Sequence, residues 1–251
     1  MTAPIVRTLS SLAAVVMTAA CGGYYEIPIE TPIRPKLDVS AFQRVLVAGF
    51  IAGGSEDVDG NLETTRLLRS QLRTKSELRV IDTDVLPLME VALENRDGGG
   101  PAEPAPEAIK DDDDLEQFEH VFANVEYWKR IGEEFQQPLI VTGTVMFAPQ
   151  ARSGIVQRDQ EVYDSFGRRR VVPVRTYMER KGFVLRPRFV FIDGRSGTVL
   201  HSENYREEIL YNANQTSPAL SSYFELMDRL IPSFLNTLSS QRIRGTRILL
   251  Q

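Results

Sequence analysis

Few side chains in this chain of 251 residues have the types and spacing that catalysis needs. The two histidines are His120, in a segment with helical periodicity, and His201, in a segment that predicts a strand. A Cys–His or Ser–His–Asp mechanism requires a base held beside its nucleophile. The sequence contains no GxSxG, HExxH or CxxC motif that would bring such groups together. We therefore interpret both histidines as ordinary, partly buried side chains, and expect no enzymatic activity, no metal site and no cofactor.

Two further motifs could in principle bind small ligands. The segment Gly49–Gly54 (GFIAGG) follows a predicted strand and precedes a predicted helix, which is the context of phosphate binding at a helix N-terminus. It lacks both GxGxxG and a Gly-Lys-Ser/Thr, so we interpret it as a loop. Asp111–Asp114 could offer carboxylates to Ca²⁺. Four consecutive side chains cannot all converge on one ion, so this run is interpreted as a solvated acidic loop.

The clearest physical feature is a separation of charge along the chain. Residues 101–119 hold eight acids and one lysine, whereas residues 150–190 hold ten basic and four acidic side chains. One interpretation is a solvated sheet face with scattered charges. The other is a surface that binds an anionic partner, such as lipid headgroups, an acidic polymer or an acidic protein. The candidate binding residues are Arg168, Arg169, Arg170, Arg175, Arg186 and Arg188.

Composition narrows the class of protein. The net charge of -5 argues against a nucleic-acid binder, which would normally be basic. With 42% hydrophobic and 25% charged residues, the chain has the composition of a globular protein. A single cysteine can form no internal disulfide.

The first residues read as a targeting segment. Arg7 provides a short positive region, and residues 9–20 form an apolar stretch of the length found in signal peptides. The sequence Ala-Ala-Cys21-Gly22 that follows resembles the cleavage site of bacterial lipoproteins, although Thr18 stands where such sites usually have leucine. The resemblance implies lipidation of Cys21 and, because Gly22 is not Asp, a place in the outer membrane facing the periplasm. The alternatives are an ordinary secretory signal or a short helix with an inert cysteine.

The rest of the chain predicts a single α/β domain. After the signal peptide 1–20 we expect a proline-rich, extended tether over 21–40, then a domain over 41–251 with a flexible acidic insert at 95–114. Hydrophobic periodicity predicts a β-α-β-α-β order, an antiparallel meander and a closing helix, which together make a mixed sheet with helices on at least one face. The predicted elements are strands at 44–50, 78–81, 139–147, 155–163, 171–178, 183–192 and 198–207, helices at 61–74, 114–135 and from Ser217 onward, and an edge strand or frayed tail at 247–250.

Four of these segments also resemble a known group of proteins. RVLVAGF at Arg44, ELRVID at Glu77, PLIVTGTV at Pro138 and FVFIDGRSGTVLHSENYRE at residues 189–207 follow the plan of a periplasmic superfamily. It includes the curli-secretion channel lipoprotein, the lipoprotein activators of penicillin-binding proteins and domains similar to the TolB N-terminal domain. The resemblance implies a non-enzymatic role in docking partners or assembling the envelope, with oligomers possible. The alternatives are a periplasmic module that binds a ligand or polyanion, and a pore-forming secretion subunit. The pore is disfavoured, because neither face of 155–163 is apolar.

Overall fold

The computed structural model describes residues 24–94, 109–212, 215 and 217–250. The predicted signal peptide and Cys21 lie outside these residues. These described residues form two compact units, a larger one within Lys36–Ser239 and a smaller one from residues 24–35 and 240–250. No helix among the described residues is both long enough and apolar enough to cross a bilayer.

The larger unit contains a mixed, six-stranded sheet. After β1 (Tyr24–Ile33) of the smaller unit, its strands are β2 (Arg44–Gly54), β3 (Arg79–Val80), β4 (Leu139–Tyr163), β5 (Arg169–Asp193), β6 (Val199–Asn204) and β7 (Glu207–Asn212). Their order in the sheet is β3-β2-β4-β5-β6, with β7 paired to a second stretch of β5. Strands β2, β3 and β4 run parallel, and the remaining pairs are antiparallel.

Helices cover both faces of this sheet, as the predicted α/β class requires. They are α1 (Gly60–Lys75), α2 (Leu88–Glu94), α3 (Asp112–Glu116), a 3₁₀ turn (Glu119–Val121), α4 (Val125–Glu134) and α5 (Ala219–Leu238). Alternate side chains of each strand enter opposite cores. Val141 and Phe191 pack toward α1 and α5, whereas Ile140 and Ile192 pack toward α2, α3 and α4. Strand β2 and the first part of β4, up to Phe147, are therefore buried on both faces, which is why they appear in the sequence as continuous hydrophobic runs.

The predicted helix over 114–135 is three shorter pieces. The apolar residues that repeat there every three or four positions do face the core, since Phe118, Val121 and Trp128 are all buried. The break comes at Asn124, whose Oδ1 accepts the backbone N–H of Tyr127 at 3.0 Å and starts α4 as its N-cap. A side chain that binds its own backbone in this way ends one helical segment and begins the next.

The end of the acidic insert is packed into the fold. Ile109 is buried, and its carbonyl accepts the N–H of Gly54 at 2.8 Å. The Asp114 carboxylate accepts the N–H groups of Lys110 and Asp111, which fixes the start of α3 and lowers the pKa of Asp114. Residues 109–114 therefore differ from the flexible loop expected for 95–114, and residues 95–108 lie outside the described part.

The predicted tether is also structured where it is described. Residues 24–33 are extended, as expected, but they pair with β8 (Gln241–Leu250) in a two-stranded antiparallel ribbon. The larger unit begins earlier than residue 41, since the N–H of Leu37 donates to the carbonyl of Thr237 at 3.0 Å. This pairing joins segments from opposite ends of the sequence, so local periodicity carries no signal for it.

Candidate functional site

The basic segment at 150–190 folds into a long hairpin. Strands β4 and β5 pair without a register shift from Leu139↔Asp193 to Tyr163↔Arg169. Strand β2 accompanies β4 only as far as Phe147, and β7 accompanies β5 only from Arg180 onward. Residues 153–179 therefore pair with no other described strand, and we call them the arm. At ~3.4 Å per residue, the arm extends about 35 Å from the sheet.

The tip of the arm is held by one carboxylate. Asp164 accepts the N–H groups of Phe166 and Arg168 at 3.0 and 2.9 Å, and Nε of Arg168 at 3.0 Å. The N–H of Arg168 contributes most to lowering the pKa of Asp164. Gly167 takes the left-handed conformation that the turn needs, with φ of 75°. The guanidinium of Arg168 lies over the ring of Phe166, which is 81% exposed.

The register divides the arm into two unlike faces, since directly paired residues share a face and successive residues alternate. One face, which we call the valine face, has no acidic residue. It consists of Gly154, Val156, Arg158, Gln160, Val162, Arg170, Val172, Val174, Thr176 and Met178. The other face carries both charges. It consists of Ser153, Ile155, Gln157, Asp159, Glu161, Tyr163, Arg169, Val171, Pro173, Arg175, Tyr177 and Glu179.

The valine face is exposed and its arginines are not neutralised. Val156 and Val172 expose 38% and 42% of their surface. On the opposite face, Arg169 pairs with Glu161 at 2.8 Å. Within the described residues, neither Arg158 nor Arg170 forms an ion pair. The valine face therefore presents two free positive charges among exposed aliphatic side chains.

The six candidate arginines are thus not one surface. Arg168, Arg169, Arg170 and Arg175 lie on the arm, but Arg186 and Arg188 lie in the body of the sheet. Arg188 pairs with Glu119, and Arg186 pairs with Asp112 at 3.0 Å. Acidic side chains of α3 and of the 3₁₀ turn therefore neutralise these two arginines within the chain. Sequence reasoning also missed Arg158, because its position on the valine face follows only from the hairpin register.

These ion pairs border a cleft of about 280 Å³. Its lining includes Thr144, Pro187, Asn204, Tyr205 and Arg206 besides the two ion pairs. An anionic small ligand entering here would have to displace the internal carboxylates. The geometry therefore favours the arm over the cleft as a surface for anions.

A second titratable cluster lies where the chain enters the larger unit. The Glu203 carboxylate contacts Lys36 Nζ, and its Oε2 lies 3.2 Å from Thr237 Oγ1 and 3.4 Å from His201 Nε2. Partial burial favours a higher pKa for Glu203, but hydrogen bonds from Lys36, Tyr205 and His201 outweigh it and lower that pKa to about 2. We call these residues the Glu203 cluster. The cluster links Lys36, at the start of the larger unit, to β6 and to the end of α5. Its role is therefore structural.

The other predicted motifs also have structural roles. The ring nitrogens of His120 lie 2.8 and 3.1 Å from the carbonyls of Gln117 and Ala92. Gly49–Gly54 continues β2 instead of forming a loop, and Phe50 and Ile51 within it are buried. A Cβ at Gly53 would collide with Ile109, so no space for a phosphate exists beside Gly53.

Comparison with known proteins gives distant likenesses only. No protein-family model matches the chain, and no curated protein is similar to it. Among solved structures it is similar to lipoprotein GNA1162 from Neisseria meningitidis, with 13% identity, a TM-score of 0.35 and coverage of 77% of this chain and 98% of that one. It is also similar to a PelC dodecamer from Paraburkholderia phytofirmans, with 14% identity, a TM-score of 0.37 and coverage of 85% and 98%. Likenesses at this level assign no function to the chain.

Proposed function

We propose that the chain is a lipid-anchored, non-enzymatic protein of the bacterial cell envelope that docks an acidic protein partner through the arm. Its anchor would be the acyl chains on Cys21, inserted in the outer membrane so that the α/β unit faces the periplasm. The apolar stretch at 9–20 and the cysteine directly after it support this anchoring. Several acyl chains on one residue exceed what stable anchoring requires.

The observation that carries the docking role is the composition of the valine face. Among the described residues Arg158 and Arg170 have no acidic partner, and they lie among exposed valines. Charge complementarity guides association and selects the partner, whereas apolar contact supplies most of the affinity. A surface with both properties fits a protein partner that combines acidic and apolar side chains. A purely polar polymer would leave the valines exposed to water.

The docking role is tested by charge reversal on one face of the arm. Arg158→Glu with Arg170→Glu reverses the charge of the valine face, and Arg169→Glu with Arg175→Glu is the matched control on the other face. The partner is captured by chemical crosslinking in intact envelopes and identified from the wild-type protein. We expect the first pair to lower its yield by about tenfold and the control pair to lower it by less than about threefold. Equal losses in both pairs would contradict the assignment to the valine face.

The anchoring role is tested separately by intact-mass analysis of the detergent-extracted protein and of Cys21→Ser. We expect a mass that begins at residue 21 and includes acyl chains, and its loss in the variant. A wild-type mass without acyl chains would refute the lipid anchor while leaving the arm open to its own test.

A further inference from the structure

The two-stranded ribbon has one edge that is closed to further pairing. Strands β1 and β8 pair in continuous register, with Pro28 and Pro32 inside the paired stretch of β1. Proline has no backbone N–H, so in a paired strand it occupies positions whose N–H side points away from the neighbour. The outer edge of β1 therefore lacks two donors that an added strand would need.

The opposite edge of the ribbon is open. Residues opposite each other in an antiparallel ladder point their N–H and C=O groups either toward each other or both outward. Thr246 lies opposite Pro28, so its backbone groups point away from β1, and the alternation gives Arg244 and Ile248 the same direction. No third strand pairs with β8 among the described residues. Ile248 is 59% exposed, and the side chain of Arg244 is 85% exposed.

A second copy of the chain is a poor occupant of this edge. Its β1 would present the edge that the prolines close. Its β8 would bring a strand with Arg242, Arg244 and Arg247 and no acidic residue against an identical strand. Like charges across neighbouring strands are destabilising.

The ribbon itself shows which chemistry suits the open edge. Arg244 already accommodates a carboxylate from one side, since its Nε lies 3.0 Å from Glu30 Oε1 across the ladder. A carboxylate on a third strand would approach the same exposed guanidinium from the other side. The opposite face of the ribbon carries Ile27 and Ile29, each about 40% exposed, and Gly245, which lies opposite Ile29 and has no side chain. An apolar residue beside Gly245 on a third strand would therefore lie on the same face as these isoleucines. A two-stranded ribbon is marginally stable alone, which favours addition of a third strand.

We propose that the outer edge of β8 binds an extended segment of another protein as a third strand, and that this segment alternates acidic and apolar residues. Main-chain hydrogen bonds to residues 244, 246 and 248 would provide the affinity, and the arginines would select acidic sequences. This surface differs from the arm, so the two proposals can fail independently.

The test uses the full chain in detergent and a synthetic eight-residue peptide of alternating Glu and Val, with alternating Lys and Val as the matched control peptide. Hydrogen exchange is measured residue by residue. We expect the acidic peptide at saturation to slow the amides of Arg244, Thr246 and Ile248 by about tenfold or more. The amides of Gly245 and Arg247, which point toward β1, should change little. Absence of this alternation, or equal protection by the Lys peptide, would overturn the proposal.

Thr246→Pro provides a second, independent measurement. It removes one outward N–H at a position where the ladder to β1 needs no donor, so the amides of Gly245 and Arg247 should keep their exchange rates in the free variant. We expect the acidic peptide to bind about fivefold more weakly or worse, as for loss of one hydrogen bond. Unchanged affinity with an intact ribbon would overturn strand addition at this edge. Arg158→Glu with Arg170→Glu on the arm should leave the protection of Arg244, Thr246 and Ile248 by the peptide unchanged, because these amides report on the edge of β8 alone.

Discussion

Glu203→Gln is expected to destabilise the larger unit at neutral pH and to lose this effect in acid. The pKa of this carboxyl is lowered from 4.5 to about 2 in the folded chain, mainly by the hydrogen bond from Lys36, which overcomes the opposing effect of burial. A group whose pKa is depressed on folding contributes stability that is present above its unfolded pKa and is lost as the pH falls through its folded pKa. The window for this effect is therefore between about pH 4.5 and pH 2.

The size of the effect follows from the same shift. At 1.36 kcal/mol per pKa unit, the full shift corresponds to about 3 kcal/mol. Lys36 is half exposed, with 52% of its side chain accessible, so solvent screens part of this interaction. We expect Glu203→Gln to lower the free energy of unfolding by about 1–2 kcal/mol at pH 7. For a unit of this size the midpoint of thermal unfolding would fall by about 3–6 °C.

The assay is urea unfolding of wild type and variant at pH 7, 5 and 3. The difference in free energy should be constant between pH 7 and 5 and smaller at pH 3. Glu179→Gln is the matched control, because its ion pair with Lys181 is exposed on both sides, and it should change stability by less than about 0.5 kcal/mol. A Glu203→Gln effect equal to that of the control at pH 7, or one that stays constant down to pH 3, would refute the role of the Glu203 cluster.

Two further predictions concern packing and use the same unfolding assay. Gly182→Ala should destabilise the larger unit by about 2 kcal/mol or more, because a Cβ there would lie 1.8 Å from the carbonyl oxygen of Ile209 on β7. Gly154→Ala, where nothing lies within 4 Å, should change stability by less than about 0.5 kcal/mol, and equal effects would contradict the close approach of β5 and β7. Trp128→Ala should cost about 3–5 kcal/mol, because the ring is fully buried and its Nε1 donates to the carbonyl of Val121 at 2.8 Å. A loss below about 1 kcal/mol would show that this core collapses around the gap.

The sequence was most informative where burial is strongest. The apolar runs at 44–50 and 139–147 correctly predicted the central strands, because a strand covered on both faces must be hydrophobic throughout. The hairpin around residues 193–197 was confirmed as well, and Gly197 there has φ of 75°. Local signals failed where pairing is distant in sequence. The ribbon of β1 and β8 is the main example, since the prolines of β1 indicated an unpaired tether.

For the candidate site, too, the sequence predicted the overall charge but not the positions of the charged side chains. The number of charged side chains correctly predicted that residues 150–190 are basic. It does not tell on which face of the hairpin each side chain lies, or how far it is from an acidic residue. Two of the chosen arginines, Arg186 and Arg188, are neutralised by Asp112 and Glu119 from the acidic stretch of the same chain. Arg158 was overlooked because Asp159 and Glu161 follow it closely in sequence. Alternation along the strand places those residues on the other face.

The unbroken ladder of β4 and β5 has a mechanical consequence. The strands of the arm are the same strands that form the centre of the sheet, and no register shift separates the two parts. The pairing of the hairpin is therefore not interrupted at any point between the arm and the sheet. A load applied at Phe166 is transmitted along both strands to Leu139 and Ile192, which are fully buried. A partner that pulls on the tip would consequently load the central strands of the sheet directly, because both strands stay paired from Tyr163 and Arg169 down to the core.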